Sequence, residues 1–401
     1  MKHKAFNILA AAALTFLMMG ETRAQPPEYT EGYTFKIIKD LPATPVKNQY
    51  MSSTCWSFSV ISMLESELLR MGKGETDLSE MFVVRHVYDE KAIKYVRLHG
   101  NLSFTGGGFG HDVLHVIETY GMTPDSVYSG LTMGEPNHVH SEMDEVLKGD
   151  VEDVVKNRNR KLTPNWHDGF VSLLESYLGA VPEKFEYMGR EYTPESYARS
   201  LGLNMGDYIE ITSFSHHPFY KKFILEVPDN WAWGTAWNVP LDELLEIMYY
   251  SVNQGYTVTW SSDVSEKGFS WSDGVAIVPD VDLEDLTGTD REKWEELTDS
   301  EKQKMMYSFQ GPVPEKKITQ EMRQTGFDNF TTTDDHGMHI TGMAEDQLGN
   351  PFFLVKNSWG NTGSPYNGYF YASEAFVRYK TIAIIVNRNG IPQHIRDKLH
   401  L

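Results

Sequence analysis

The 401-residue sequence has one cysteine, so no disulfide within the chain can contribute to its stability. No apolar run reaches the roughly twenty residues that a membrane span needs. No repeat of roughly twenty to fifty residues recurs, which excludes solenoids and propellers, and there is no phosphate-binding glycine loop of the P-loop type. Positive charge is also scarce. Against 56 aspartates and glutamates stand 36 lysines and arginines, a net charge of −20, and so acidic a chain repels nucleic acid phosphates and anionic lipid surfaces. The remaining composition, 40% hydrophobic, 12% aromatic and 23% charged, is that of a globular protein with one elaborate domain or two smaller ones. A compact enzyme or binding protein fits this profile.

The first residues place Lys2 and Lys4 before an apolar run from Ala5 to Met19, then Thr22-Arg23-Ala24 before Gln25. Those are the basic, apolar and small-residue regions of a secretory signal peptide, so residues 1–24 are expected to be removed. The mature chain, residues 25–401, is then expected to be periplasmic or extracellular, with no stable membrane insertion. Losing Lys2, Lys4, Glu21 and Arg23 makes it more acidic still. The stretches Asp280–Asp285 and Asp290–Lys304 read as solvated faces or a helix with Glu–Lys pairs. In an oxidising compartment a free thiol is a liability, so the presence of Cys55 calls for a reason.

The segment from Val46 to Trp56 leads into a helical pattern in which Val60, Ile61, Leu64 and Leu68 return at spacings of three and four. Ser52 and Ser53 are the N-cap candidates, and Gly72 and Gly74 close the helix. Cys55 thereby falls in the first turn, where free N–H groups and the helix dipole favour a thiolate. Gln49, six residues earlier, is placed so that its amide and the Cys55 N–H could both donate to an oxyanion.

A thiolate nucleophile needs an imidazole to exchange its proton and a polar group to hold that imidazole. The stretch from Asp334 to Ala344 reads as a histidine, His336, opening a strand. A Leu348-Gly349-Asn350 turn follows, then a second apolar strand, Phe352 to Gly360. In this hairpin Asn357 neighbours His336 and can fix its tautomer, while Trp359 shields the bond from water. His339, three residues on, faces the other way by strand alternation.

Taken together, Gln49, Cys55-Trp56, Asp335-His336-Gly337 and Lys356-Asn357-Ser358-Trp359-Gly360 resemble the motif set of papain-like cysteine peptidases, in their usual order. The branch is that of bleomycin hydrolase and bacterial aminopeptidase C. Further similar features are Gly106-Gly107-Gly108 leading into Asp112–Gly121, the strand Thr257–Val264, and Arg323-Gln324-Thr325-Gly326. The resemblance implies an α+β, two-lobe papain-like fold with large helical insertions, at about 131–248 and 281–310. It implies catalytic Cys55, His336, Asn357 and Gln49 supported by Trp56 and Trp359, and peptide substrates lying against Gly107 and Gly108, which lack side chains. It implies no cofactor or metal, and a homo-oligomer, a hexameric ring in that branch. Such enzymes are generally cytosolic, so export is a departure.

A second departure is at the C terminus. The branch carries a tail that enters the cleft and limits cleavage to single residues; here the C terminus runs from Val386 to Leu401 and most of that tail is missing, which leads to an expectation of weakened blocking and endopeptidase or dipeptidase-like action. Two other classes use the same residues: a cysteine amidase, acyl transferase or cell-wall peptidase, and a non-catalytic peptide-binding scaffold. His111 and His115, four apart on a helix, lack a third metal ligand and read as ordinary helix residues. His216-His217-Pro218 and Trp231–Trp237 read as aromatic loop packing.

Overall fold

The computed structural model describes residues 32–132, 134–159, 161–280 and 297–401. The expected signal segment and residues 281–296 lie outside the described residues. Among the described residues no helix is long and apolar enough to cross a membrane.

Two apolar cores divide the molecule into two lobes. The first packs six helices, α1 (Cys55–Arg70), α2 (Glu80–Arg97), α3 (Gly110–Tyr120), α4 (Ser141–Val155), α5 (Asn165–Leu178) and α6 (Pro194–Leu201). Helix α1 is buried on every face from Trp56 to Leu68, although its sequence marks only one apolar stripe. The reason is its position: one side faces α2 and α3, and the other faces the sheet of the second lobe. That is why Ser57, Ser59, Ser62, Glu65 and Ser66 are all buried in it.

The second lobe is an eleven-stranded sheet. Its strands are β1 (Phe35–Asp40), β4 (Tyr208–Thr212), β5 (Lys222–Ile224), β6 (Thr235–Asn238), β7 (Val258–Ser262), β8 (Phe269–Ser270), β9 (Val275–Ala276), β10 (His336–Asp346), β11 (Pro351–Lys356), β12 (Tyr369–Ser373) and β13 (Thr381–Asn387). β2 (Phe185–Tyr187) and β3 (Arg190–Tyr192) form a separate hairpin. Along the sheet the order is β5-β6-β4-β13-β7-β10-β11-β12-β9-β8, with β1 on β10. The β10–β11 hairpin is antiparallel, with His339 opposite Lys356 and Ala344 opposite Phe352. Helix α7 (Leu241–Asn253) and the terminal helix Gln393–Leu399 share the sheet lobe's core.

The first expected insertion, 131–248, does contain α4 to α6 and the start of α7, but it is not only helical. It also supplies β4, β5 and β6, and β4 joins the main sheet by pairing with β13. Tyr208-Ile209-Glu210-Ile211-Thr212 alternates, with Ile211 in the apolar core, which is a strand pattern that the surrounding helical stretches obscured. Of the second, 281–310, only residues from 297 onward are described, including a helix at Asp299–Met306.

Candidate active site

Cys55 is the first residue of α1, at the floor of a cleft of about 560 Å³ between the lobes. Gln49, Gly107, His336 and Trp359 line the same cleft. The expected Ser52 or Ser53 cap is absent. Thr54 is the N-cap and makes no side-chain cap bond, and Ser52 and Thr54 bond each other instead, at 2.5 Å. Ser53 takes a left-handed conformation, φ 56°. A side chain capping from Thr54 would bond the N–H of the second or third helical residue, so the missing cap lowers local helix stability and leaves the Cys55 N–H untouched.

His336 opens β10. Its Nε2 lies 2.7 Å from Asn357 Oδ1, which also accepts the Ser358 N–H at 2.8 Å. Because that oxygen is the acceptor of both bonds, Nε2 carries the proton and Nδ1 is the basic nitrogen of the ring. Trp359 lies over the imidazole, centroids 4.7 Å apart, and is itself packed edge-on by Trp271 at 5.2 Å. Asn357 Nδ2 is buried without a partner among the described residues.

The close approach of β10 to α1 depends on Gly337. A methyl group there would stand 2.9 Å from Ser59 Oγ and 3.2 Å from both the Cys55 carbonyl oxygen and Trp56 Cα. With no side chain in the way, the Gly337 N–H comes near enough to the Cys55 thiol to pull its pKa down.

Gln49 is buried, and its side chain is oriented by one bond. Oε1 accepts from Ser358 Oγ at 2.6 Å, which leaves the Nε2 amide as the donor available to the cleft. The backbone of this segment is clipped to the end of the hairpin: Gln49 N–H to the Ser358 carbonyl at 2.8 Å, and Gly360 N–H to the Lys47 carbonyl at 3.1 Å. One short strand-like contact therefore holds Gln49 and the Asn357-Ser358-Trp359 run together.

The electrostatics correct one expectation. Burial pushes the Cys55 thiol up to about 12; the Gly337 and Trp56 N–H groups oppose this, while Asp334 and Asp229 add to it. Burial also lowers His336 to about 4, against the opposing bond to Asn357. Both shifts come from desolvation, which penalises the thiolate and the imidazolium alike. The helix N-terminus alone would favour a thiolate, but desolvation outweighs it here.

The glycine run forms one wall. Trp56 Nε1 donates to the Gly106 carbonyl at 3.1 Å, and a methyl on Gly108 would stand 2.7 to 3.0 Å from the Trp56 ring. Behind the wall, fully buried Lys91 donates to the Thr105 carbonyl at 2.9 Å and to the Gly107 carbonyl. Lys91 escaped the sequence reading, although Tyr88, Ala92 and Tyr95 place it on the inner stripe of α2. Ser358 lay inside a motif without a role, and Asp229 sits in a loop that gives no signal.

His111 and His115 do not form a metal site together. His111 bonds Glu210 at 2.9 Å and His115 bonds Glu90 at 2.9 Å, so the two do not converge. His216, His217 and Glu226 do cluster. However, Gln324 Oε1 accepts the Ser215 N–H at 2.6 Å, so its amide nitrogen donates to His216 Nδ1 at 3.0 Å. With that bond made, Nε2 can give its proton to Glu226 at 3.2 Å. His339 lies on the other face of β10, bonded to Ser62 at 2.9 Å.

Comparison with known proteins finds relatives along most of the chain. Residues 317–400, which carry His336 and Asn357 but stop short of Cys55, match the Peptidase C1-like family. The chain is 22% identical to aminopeptidase C of Streptococcus thermophilus, over 92% of this chain and 85% of that one. It is 20% identical to aminopeptidase C of Lactobacillus delbrueckii subsp. lactis, over 98% and 90%. The crystal structure of PepW from Lactobacillus rhamnosis superposes with a TM-score of 0.68 at 18% identity, covering 91% of this chain and 84% of that one. The two-lobe α+β architecture is therefore papain-like, and the resemblance to the aminopeptidase C branch holds across nearly the whole chain.

Proposed function

We propose that this chain is an exported cysteine-type peptidase, similar to aminopeptidase C, that cleaves peptide bonds through an acyl-enzyme on Cys55. The observation that carries the reading is the tautomer of His336: with Nε2–H given to Asn357, the remaining basic nitrogen belongs to the cleft that holds Cys55. In the forward step the thiol proton passes to His336 Nδ1 as Sγ bonds the scissile carbonyl carbon. The oxyanion is held by Gln49 Nε2–H and the uncapped Cys55 N–H. Collapse breaks the C–N bond, and the imidazolium returns its proton to the leaving amine. Water, deprotonated by the same nitrogen, then attacks the thioester carbon and releases the acid and the thiol. Proton transfer coupled to attack suits a site where desolvation opposes a standing ion pair.

The test is labelling by a thiol-directed peptidyl epoxide, read by intact mass, alongside hydrolysis of a peptide mixture. Labelling confined to Cys55, with hydrolysis lost in Cys55→Ala and His336→Ala, is expected. Hydrolysis that survives Cys55→Ala refutes the assignment. For export, intact mass of protein recovered from the producing cell is expected to begin near Gln25; a retained Met1 refutes it.

A further inference from the structure

One cleft residue is unused by the chemistry above. Asp229 lines the cleft with Cys55, Gln49 and His336, and its carboxylate is pressed against the glycine wall. A methyl on Gly107 would stand 2.3 to 2.4 Å from the Asp229 carboxyl atoms. The carboxylate therefore sits where the resemblance to papain-like peptidases would lay an extended peptide, along Gly107 and Gly108.

The other acidic groups that line the cleft are engaged or peripheral. Asp144 accepts from the Tyr88 hydroxyl, and Asp335 accepts the N–H groups of Val264 at 2.9 Å and Ser265 at 3.2 Å. Glu145 is exposed at the rim. Among the described residues no hydrogen-bond donor reaches the Asp229 carboxylate; the nearest cation to act on it is Lys91, whose ammonium is committed to the carbonyls of Thr105 and Gly107. Four lining carboxylates, Asp144, Glu145, Asp229 and Asp335, face one lining lysine, Lys148. The field in the cleft thus attracts a cation.

Asp229 is also held in place. Its loop is closed by Asn230, which donates to the Leu225 carbonyl at 2.8 Å and accepts the Gly234 N–H at 2.7 Å. Trp231 Nε1 donates to Asp112 at 2.8 Å, and Lys94 to the Ala232 carbonyl at 2.8 Å. An unpaired carboxylate on so constrained a loop is a preorganised acceptor.

We propose that Asp229 binds the α-ammonium of the substrate, so that the cleft selects peptides with a free amino terminus and releases one or two residues from it. The span is short: Gly107, against Asp229, is followed at once by Gly108, which lies on Trp56, the neighbour of Cys55. At about 3.3 Å per extended residue, that leaves room for a first or second residue and not for a longer run. The assignment rests on the peptidase reading, and it places the terminus-selecting charge in the loop before β6, not in a C-terminal tail.

The test uses aminoacyl- and dipeptidyl-coumarin substrates, each free or N-acetylated, with wild type, Asp229→Asn and Asp229→Glu. Wild type should favour a free terminus by about tenfold or more in kcat/KM, the worth of one charge-assisted bond. Asp229→Asn should abolish that preference through KM, Asp229→Glu should restore part of it, and iodoacetamide should still alkylate Cys55 in both, showing an intact cleft. Equal use of free and acetylated substrates by wild type, or an unchanged preference in Asp229→Asn, overturns the assignment while Cys55-dependent hydrolysis leaves the peptidase reading standing. No Cys55-dependent hydrolysis of any substrate removes both.

Discussion

Gln49 should be disabled without being touched. Its amide is aimed by the Ser358 hydroxyl at 2.6 Å, so Ser358→Ala frees it to rotate and should lower kcat about tenfold, the worth of one net hydrogen bond. Gln49→Ala removes the donor itself and should cost about 10²–10³ in kcat. The double variant should be no worse than Gln49→Ala, because both act on one group; additive losses in steady-state kinetics would place Ser358 in a separate role. The Cys55–His336 pair makes a second residue-scale prediction. With the thiol held up to about 12 and the imidazole down to about 4 by burial, the ultraviolet thiolate band that separates wild type from Cys55→Ala should be absent at neutral pH. It should emerge only toward pH 12. A histidine with a lowered pKa stays unprotonated as pH falls until that pKa is reached, so kcat should hold from neutral pH down to about 4 and drop below it. A full thiolate band at pH 7 would show that the helix N-terminus overcomes burial after all.

At the scale of elements, the glycine wall is rigid from both sides, by Trp56 in front and Lys91 behind. Gly108→Ala puts a methyl within 3.0 Å of an indole whose own N–H is tied to Gly106, so the ring cannot swing aside cheaply. Strain of about 1–3 kcal/mol is expected, read as a lower midpoint in chemical denaturation together with a raised KM. An unchanged KM would mean that substrate does not use this wall. The elements themselves were legible where one face of each reports its surroundings. The three-and-four spacing of Val60, Ile61, Leu64 and Leu68 marked α1, and the alternation from His336 to Ala344 marked the hairpin, including the opposite facing of His336 and His339. The cap of α1 was misread for a physical reason. Serines before a helix ordinarily accept an N–H of its first turn on their hydroxyl oxygen, whereas here Ser52 bonds Thr54 and neither caps the helix. Likewise β4 to β6 were hidden because strands this short carry too few alternations to stand out among helices.

What the sequence could not disclose at the scale of the whole molecule is how the lobes are joined, since the joining groups come from distant segments. Between α1 and the sheet lies a buried polar cluster. Lys47 reaches Glu80 at 2.8 Å, Glu65 at 3.1 Å and Asp77 at 2.7 Å. Glu65 accepts from Thr44 at 2.5 Å, and Lys356 of β11 donates to Thr44 at 3.1 Å and to Ser62 at 2.7 Å. Lys47 precedes Gln49 by two residues and Lys356 precedes Asn357, so the cluster that joins the lobes also sets both sides of the candidate site. Burial raises Glu80 to about 8 even though Lys47 pulls it down. Lys47→Met removes that pull, leaving two buried carboxylates short of their counter-charge, and should cost about 3–5 kcal/mol where both are ionised. Without Lys47 the folded-state value of Glu80 rises further above its ordinary 4.5. A carboxyl raised in the folded state holds its proton there while the unfolded chain has lost it, so its contribution to stability is present at low pH and is lost as pH rises through that window. The deficit of the variant should therefore be smallest near pH 5 and grow toward pH 9, measured as the difference in chemical denaturation from wild type at each pH. A deficit that stays level or shrinks as pH rises would show that Lys47 is not the charge that lets Glu65 and Glu80 be buried between the lobes.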